Sequence, residues 1–126
     1  MKFTSFHPLI LTKDSESAIK TFEALGFERR HQNTVNEGGV DIVTVCLKNS
    51  DGFCVDVAQV DDVQQDITLI RINVDDFDEA YAMLLAKGFK DPKGENHSVK
   101  TRTNRSAMMI SPSGFAFDIC QHIKES

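Results

Sequence analysis

Gly52 to Gln59 reads GFCVDVAQ, and Gly114 to Gln121, 62 residues later, reads GFAFDICQ. Gly, Phe, Asp and Gln recur at the same places in both stretches. The same offset, without a gap, pairs Asp14 with Asp76, Ala18 with Ala80, Ala24 with Ala86, Gly26 with Gly88 and Phe27 with Phe89. The matches fall on punctuation residues and on one carboxylate inside an apolar run. The chain therefore reads as one supersecondary unit written twice.

The unit itself follows from changes of period. Phe6 to Thr12 (FHPLILT) is a bounded apolar run, as a strand requires, and Pro8 suits an edge or the start of a strand. Asp14 or Ser15 can cap a helix whose apolar stripe is Ala18, Ile19, Phe22 and Leu25, and Gly26 ends it. Strands are expected over Phe27 to Thr34, Val40 to Leu47 and Phe53 to Gln59, with turns at Asn36 to Gly39 and Asn49 to Gly52. The order is β-α-β-β-β. After a polar linker at 60–66 the order starts again: a strand over Ile67 to Val74, a cap at Asp75-Asp76, and a helix stripe of Ala80, Met83, Leu84 and Lys87 ended by Gly88. Phe89 to Thr103, with Pro92 and Gly94, reads as a distorted strand and a mobile loop. Strands over Arg105 to Ile110 and Phe115 to Gln121 close the unit. The expected class is α+β, a single domain over 1–126 with modules at 1–59 and 67–126.

Alternation assigns the faces. Phe53, Val55 and Val57 form a bulky apolar face for the helix, leaving Cys54, Asp56 and Ala58 on the other. The second copy sets Phe115, Phe117 and Ile119 against Ala116, Asp118 and Cys120. In the opening strands His7, Leu9 and Leu11 share a face, and their counterparts are Leu69, Arg71 and Asn73.

Composition removes several classes of function. A net charge of −5 without a Lys/Arg cluster argues against a nucleic-acid partner. No run has the apolar length of a membrane span and no secretory layout opens the chain, so a cytoplasmic location is expected. Cys46, Cys54 and Cys120 are odd in number and lie in apolar runs, which suits reduced core thiols.

The layout resembles the vicinal oxygen chelate superfamily, which includes glyoxalase I, extradiol dioxygenases and the fosfomycin- and bleomycin-resistance proteins. The residues that carry the resemblance are HPLILTKD (His7 to Asp14), LGFE (Leu25 to Glu28), INVDDFDEA (Ile72 to Ala80) and SPSGFAFDI (Ser111 to Ile119). It implies a cup-shaped curved sheet with both helices outside, a homodimer, and in the family's metalloenzymes a divalent ion held by the first and last strands of each module. Carried over by position, those sites are His7, Asp56, Leu69 and Asp118. Leu69 cannot bind a metal, and each Asp is a methylene shorter than the family's usual Glu. Three donors can still hold an ion if they converge, but ligand distances must hold within about 0.2 Å.

Two functions follow from the resemblance. One is a glyoxalase- or bleomycin-resistance-like protein that binds a small molecule in the cup, with a degenerate metal site and either no cofactor or a weakly held Zn, Ni, Mn or Fe. The other is a metal-dependent lyase, isomerase or dioxygenase using His7, Asp56 and Asp118, with water at the Leu69 position. His7 reads either as a ligand or as a satisfied core histidine. Arg71 reads either as an internal partner of Asp118 or as a bidentate anchor for a ligand carboxylate or phosphate. Arg105, assigned inward by alternation, and Asn73 join it as ligand contacts.

Overall fold

A computed structural model describes residues 1–37, 39–92, 99–100 and 104–122. The elements run β1 (Phe3–Thr12), α1 (Ser15–Ala24), β2 (Glu28–Glu37), β3 (Val40–Lys48), β4 (Cys54–Gln59), β5 (Ile67–Val74), α2 (Phe77–Ala86), β6 (Val99–Lys100), β7 (Asn104–Ile110) and β8 (Ala116–His122). This is β-α-β-β-β twice, an α+β chain. The mobile loop expected before Thr103 falls largely on 93–98 and 101–103, outside the described residues. No helix among the described residues is long and apolar enough to cross a membrane.

Contacts divide the chain into two units. One spans His7–Thr68; the other takes Met1–Phe6 and the chain from Leu69 onward. We call them the N-terminal and C-terminal units. The first residues join the C-terminal unit through Asp75, whose N–H donates to the Lys2 carbonyl at 3.0 Å while its Oδ1 accepts from the Lys2 N–H at 2.6 Å.

In the N-terminal unit β1 runs parallel to β4, and β4-β3-β2 continue antiparallel. The registered stretch of β1 begins at Leu9, directly after Pro8, which has no N–H to give. In the C-terminal unit β5 runs parallel to β8, followed by antiparallel β7 and β6. Between β1, β4 and β3 and their counterparts β5, β8 and β7 the registers coincide at the repeat offset, while β6 pairs with β7 four residues out of step with β2 on β3. Leu9 stands beside Asp56 as Arg71 stands beside Asp118, and Cys46 faces Asp56 as Met108 faces Asp118. Even the bridge of Lys90 to Ile110 reproduces the pairing of Glu28 with Lys48.

The repeated residues are those that make the joints. Asp14 and Asp76 cap the helices, accepting from the N–H of Ser17 and of Glu79, each at 3.1 Å. Gln59 accepts from the Ser15 N–H at 2.9 Å and donates to the Lys13 carbonyl; Gln121 accepts from the Phe77 N–H at 2.8 Å and donates to the Asp75 carbonyl at 2.9 Å. Each glutamine thus ties the last strand of its unit to the start of the helix, satisfying backbone groups that the helix cannot. Gly26 (φ 101°) and Gly88 (φ 90°) end the helices in a conformation that costs other residues energy.

Each helix covers one sheet face. Ile19 of α1 clusters with Val45, Leu47, Val55 and Val57 of the sheet; Phe77, Ala80 and Tyr81 of α2 cluster with Ile72, Val74, Ala107, Met109 and Ile119. Four apolar assignments from the sequence need correction. Leu25 is 70% exposed because it is the C-cap, already turning away, and Met83 is 50% exposed because the buried stripe of α2 is Phe77, Ala80, Tyr81 and Leu84. Phe53 and Phe115 precede their strands and remain over half exposed; Phe115 meets Phe89 and Phe117 edge-on.

Candidate functional site

With Val55, Val57 and Ile119 in the cores beneath the helices, Asp56 and Asp118 necessarily point to the opposite, helix-distal faces. Both are buried, at 5% and 9% exposure, so each needs a partner. They have found different ones.

In the N-terminal unit the partner is His7. It lies two residues before Leu9 on the same face of β1, and its Nε2 donates to Asp56 Oδ2 at 2.9 Å. Both side chains are about nine-tenths buried. In the C-terminal unit the partner is Arg71, in direct register with Asp118, whose Oδ2 accepts from Arg71 Nε at 2.8 Å. The Cys120 thiol lies 3.7 Å from the same oxygen. Burial, and then the charge of Asp118, push the Cys120 thiol up to about 12 against the opposing pull of Arg71. This is an inert thiol at neutral pH. Asn73, two residues beyond Arg71, donates from Nδ2 to Ser5 Oγ at 2.6 Å.

The sequence-selected residues therefore assemble as two pairs, His7 with Asp56 and Arg71 with Asp118, and Asn73 shares the face of the second. Arg105 does not. Because Met108 faces Asp118, the odd-numbered residues of β7 turn toward α2, as buried Ala107 and Met109 confirm. Arg105 lies over the Phe77 ring at 4.4 Å and donates to Asp78 Oδ1 at 2.7 Å. The alternation that placed it inward was carried one residue out of phase.

The side chains do not fit a divalent ion held by the protein. The Asp118 carboxylate is joined to a guanidinium, Leu69 is buried at 4% exposure and offers no donor, and the imidazole of His7 is engaged by Asp56. Among the described residues no group of three or more His, Cys, Asp or Glu is placed to hold a metal. Sequence reasoning also missed what Gln59 and Gln121 do, although their recurrence was the available signal.

No family model and no curated protein matches the sequence. Solved structures do match. A glyoxalase/bleomycin resistance protein/dioxygenase superfamily member from Vibrio splendidus 12B01 is similar over 97% of this chain and 100% of its own, at 19% identity and a TM-score of 0.62. Glyoxalase I from Zea mays is similar over 98% of this chain, at 14% identity and a TM-score of 0.65, and a variant of 4-hydroxymandelate synthase from Streptomyces coelicolor over 95%, at 10% identity and 0.58. The chain covers 45% and 48% of those two proteins, about half their length. The doubled β-α-β-β-β unit and these likenesses establish that the chain has the vicinal oxygen chelate fold, that of the glyoxalase/bleomycin resistance protein/dioxygenase superfamily.

Proposed function

We propose that this protein binds a small molecule carrying an anionic oxygen group, and does so without a metal ion held by the protein. The observation that carries the reading is the Arg71–Asp118 pair. Where the repeat places the second carboxylate, a fixed guanidinium already supplies the positive charge. A guanidinium oriented by a carboxylate is a pre-organised donor for ligand carboxylate, phosphonate or enolate oxygens. Arg71 and Asn73 are the ligand contacts in this reading, and His7, held by Asp56, is a polar group for the same role on its own unit.

The test is calorimetric titration of chelator-stripped protein with a panel of small carboxylates, phosphonates and organic cations. We expect a carboxylate or phosphonate to bind with chelator present. Arg71→Lys, which keeps the charge and loses the planar fork, should weaken that binding about tenfold or more. Arg105→Ala, on the opposite face, should leave it unchanged. Binding that appears only after Zn, Ni, Mn or Fe is restored would overturn the proposal and favour a metal-dependent enzyme using His7, Asp56 and Asp118.

A further inference from the structure

The repeat supplies an internal control for every position on the helix-distal faces. His7 corresponds to Leu69, Leu9 to Arg71, and Asp56 to Asp118. The registers agree, so these are structural equivalences as well as sequence ones: Leu9 lies beside Asp56 where Arg71 lies beside Asp118. At these three positions the C-terminal unit differs from the N-terminal one twice. It lacks the imidazole at 69, and it carries a permanent cation at 71.

The two differences have unequal consequences for a metal. A missing imidazole removes one donor, which water can replace. A guanidinium 2.8 Å from Asp118 Oδ2 takes up the carboxylate itself and repels any second cation, in a place where low exposure limits screening. The side chains of Arg71 and Asp118 are 20% and 13% exposed. We infer that Arg71, rather than the absent imidazole, is what closes the C-terminal unit to divalent metals: a tethered cation has replaced a mobile one. The inference rests on the metal-free reading above, and it names the residue responsible.

It follows that restoring the donor alone accomplishes little. The experiment compares four full-length proteins stripped of metal: wild type, Leu69→His, Leu69→His with Arg71→Leu, and Leu69→His with Arg71→Lys. Each is titrated with Zn or Ni chloride by calorimetry, and the shift in melting temperature on adding metal is read in parallel. Leu69→His should bind within about threefold of wild type, and adding Arg71→Leu should tighten binding about tenfold or more. The Arg71→Lys combination keeps the charge and should stay with Leu69→His.

A tenfold gain from Leu69→His alone would overturn the inference, because the missing donor would then be the block. Equal gains from the Leu and Lys combinations would also overturn it, since size and not charge would be responsible. So would a folded Arg71→Leu combination with no gain. If that protein folds only when Zn is added, the metal has replaced the guanidinium and the inference stands. If it folds in neither state, Leu69→His with Arg71→Gln, neutral and able to donate to Asp118, is judged by the same tenfold criterion. Failure of the metal-free reading itself looks different: wild type would bind Zn as tightly as the Arg71→Leu combination.

Discussion

The N-terminal unit gives its buried carboxylate an imidazole, and the C-terminal unit gives the equivalent carboxylate a guanidinium. Everything that frames the two pairs is the same: strand order, register, helix caps, and the glutamine that ties the last strand to the helix start. Residues that satisfy backbone groups or fill the space under a helix are held by requirements both units share. Residues on the helix-distal face carry none of those duties beyond having a partner for the carboxylate, so they are free to diverge. The two units therefore differ at the residues to which the proposed function assigns ligand contacts.

The comparison breaks most visibly at Arg71. Arg71→Ala leaves the Asp118 carboxylate buried without its guanidinium, and removing one member of a buried pair costs on the order of 3–5 kcal/mol. Because the Arg71 side chain is one-fifth exposed, the low end, about 3 kcal/mol, is expected. His7→Ala should cost less, about 1.5–2.5 kcal/mol, since it removes a hydrogen bond to a buried carboxylate but not a permanent cation. Replacing the pair outright, with Arg71→Met and Asp118→Leu, should recover most of the Arg71 loss. Urea denaturation at pH 7 measures all three. Costs for Arg71→Ala and His7→Ala that prove equal would mean the two pairs serve folding alike, and the contrast between units would lose its meaning.

The joints sharpen the comparison from the other side, since there the units should behave identically. Gln59→Ala and Gln121→Ala each remove one acceptor from a helix N–H and one donor to a carbonyl. Each should cost about 1–2 kcal/mol, and the two costs should agree within about half a kcal/mol. A glutamine dispensable in one unit and costly in the other would show that the shared frame is not equally used.

The fold was legible because its signals are local and doubled. Asp14 and Asp76 announce helix starts, Gly26 and Gly88 announce their ends, and a period-2 run surrounds each buried Asp. The pairing of Arg71 with Asp118 was legible as one of two readings, since alternation put both on one face. What failed were assignments near element ends. Arg105 lies near the start of β7, a strand whose phase is fixed by the pairing of Met108 with Asp118 on β8, which no local pattern reveals. Leu25, Phe53 and Phe115 sit at caps or turns, where apolar character no longer predicts burial. The partnership of His7 with Asp56 was also hidden: the sequence offered His7 as a ligand or as a satisfied core histidine, without naming what satisfies it. Only the register, which brings position 7 within reach of position 56, shows that they satisfy each other.

The smallest effect expected at neutral pH, and the one most specific to the C-terminal unit, concerns Cys120. Its counterpart at the repeat offset is Ala58, buried at 2% exposure, so Cys120→Ala makes the two units alike at that position. The folded thiol is raised from 9.0 to about 12, first by burial and then by the Asp118 charge. A group whose folded value is raised contributes its stability fully below the unfolded value and loses it as pH climbs toward the folded one. Below pH 9 the unfolded and folded chains both hold the proton, so the wild-type and Cys120→Ala stability curves should run parallel. Above it the unfolded chain alone ionises, and wild type should lose roughly 1.4 kcal/mol per pH unit relative to the variant. The difference between the two curves isolates this thiol from the rest of the chain. Thiol alkylation at pH 8 gives an independent reading, with partly buried Cys46 and Cys54 labelled before buried Cys120. Parallel curves persisting well above pH 9, or early labelling of Cys120, would mean that this thiol does not share the buried carboxylate's surroundings, and the charge pattern assigned to the C-terminal unit would have to be redrawn around Arg71 and Asp118 alone.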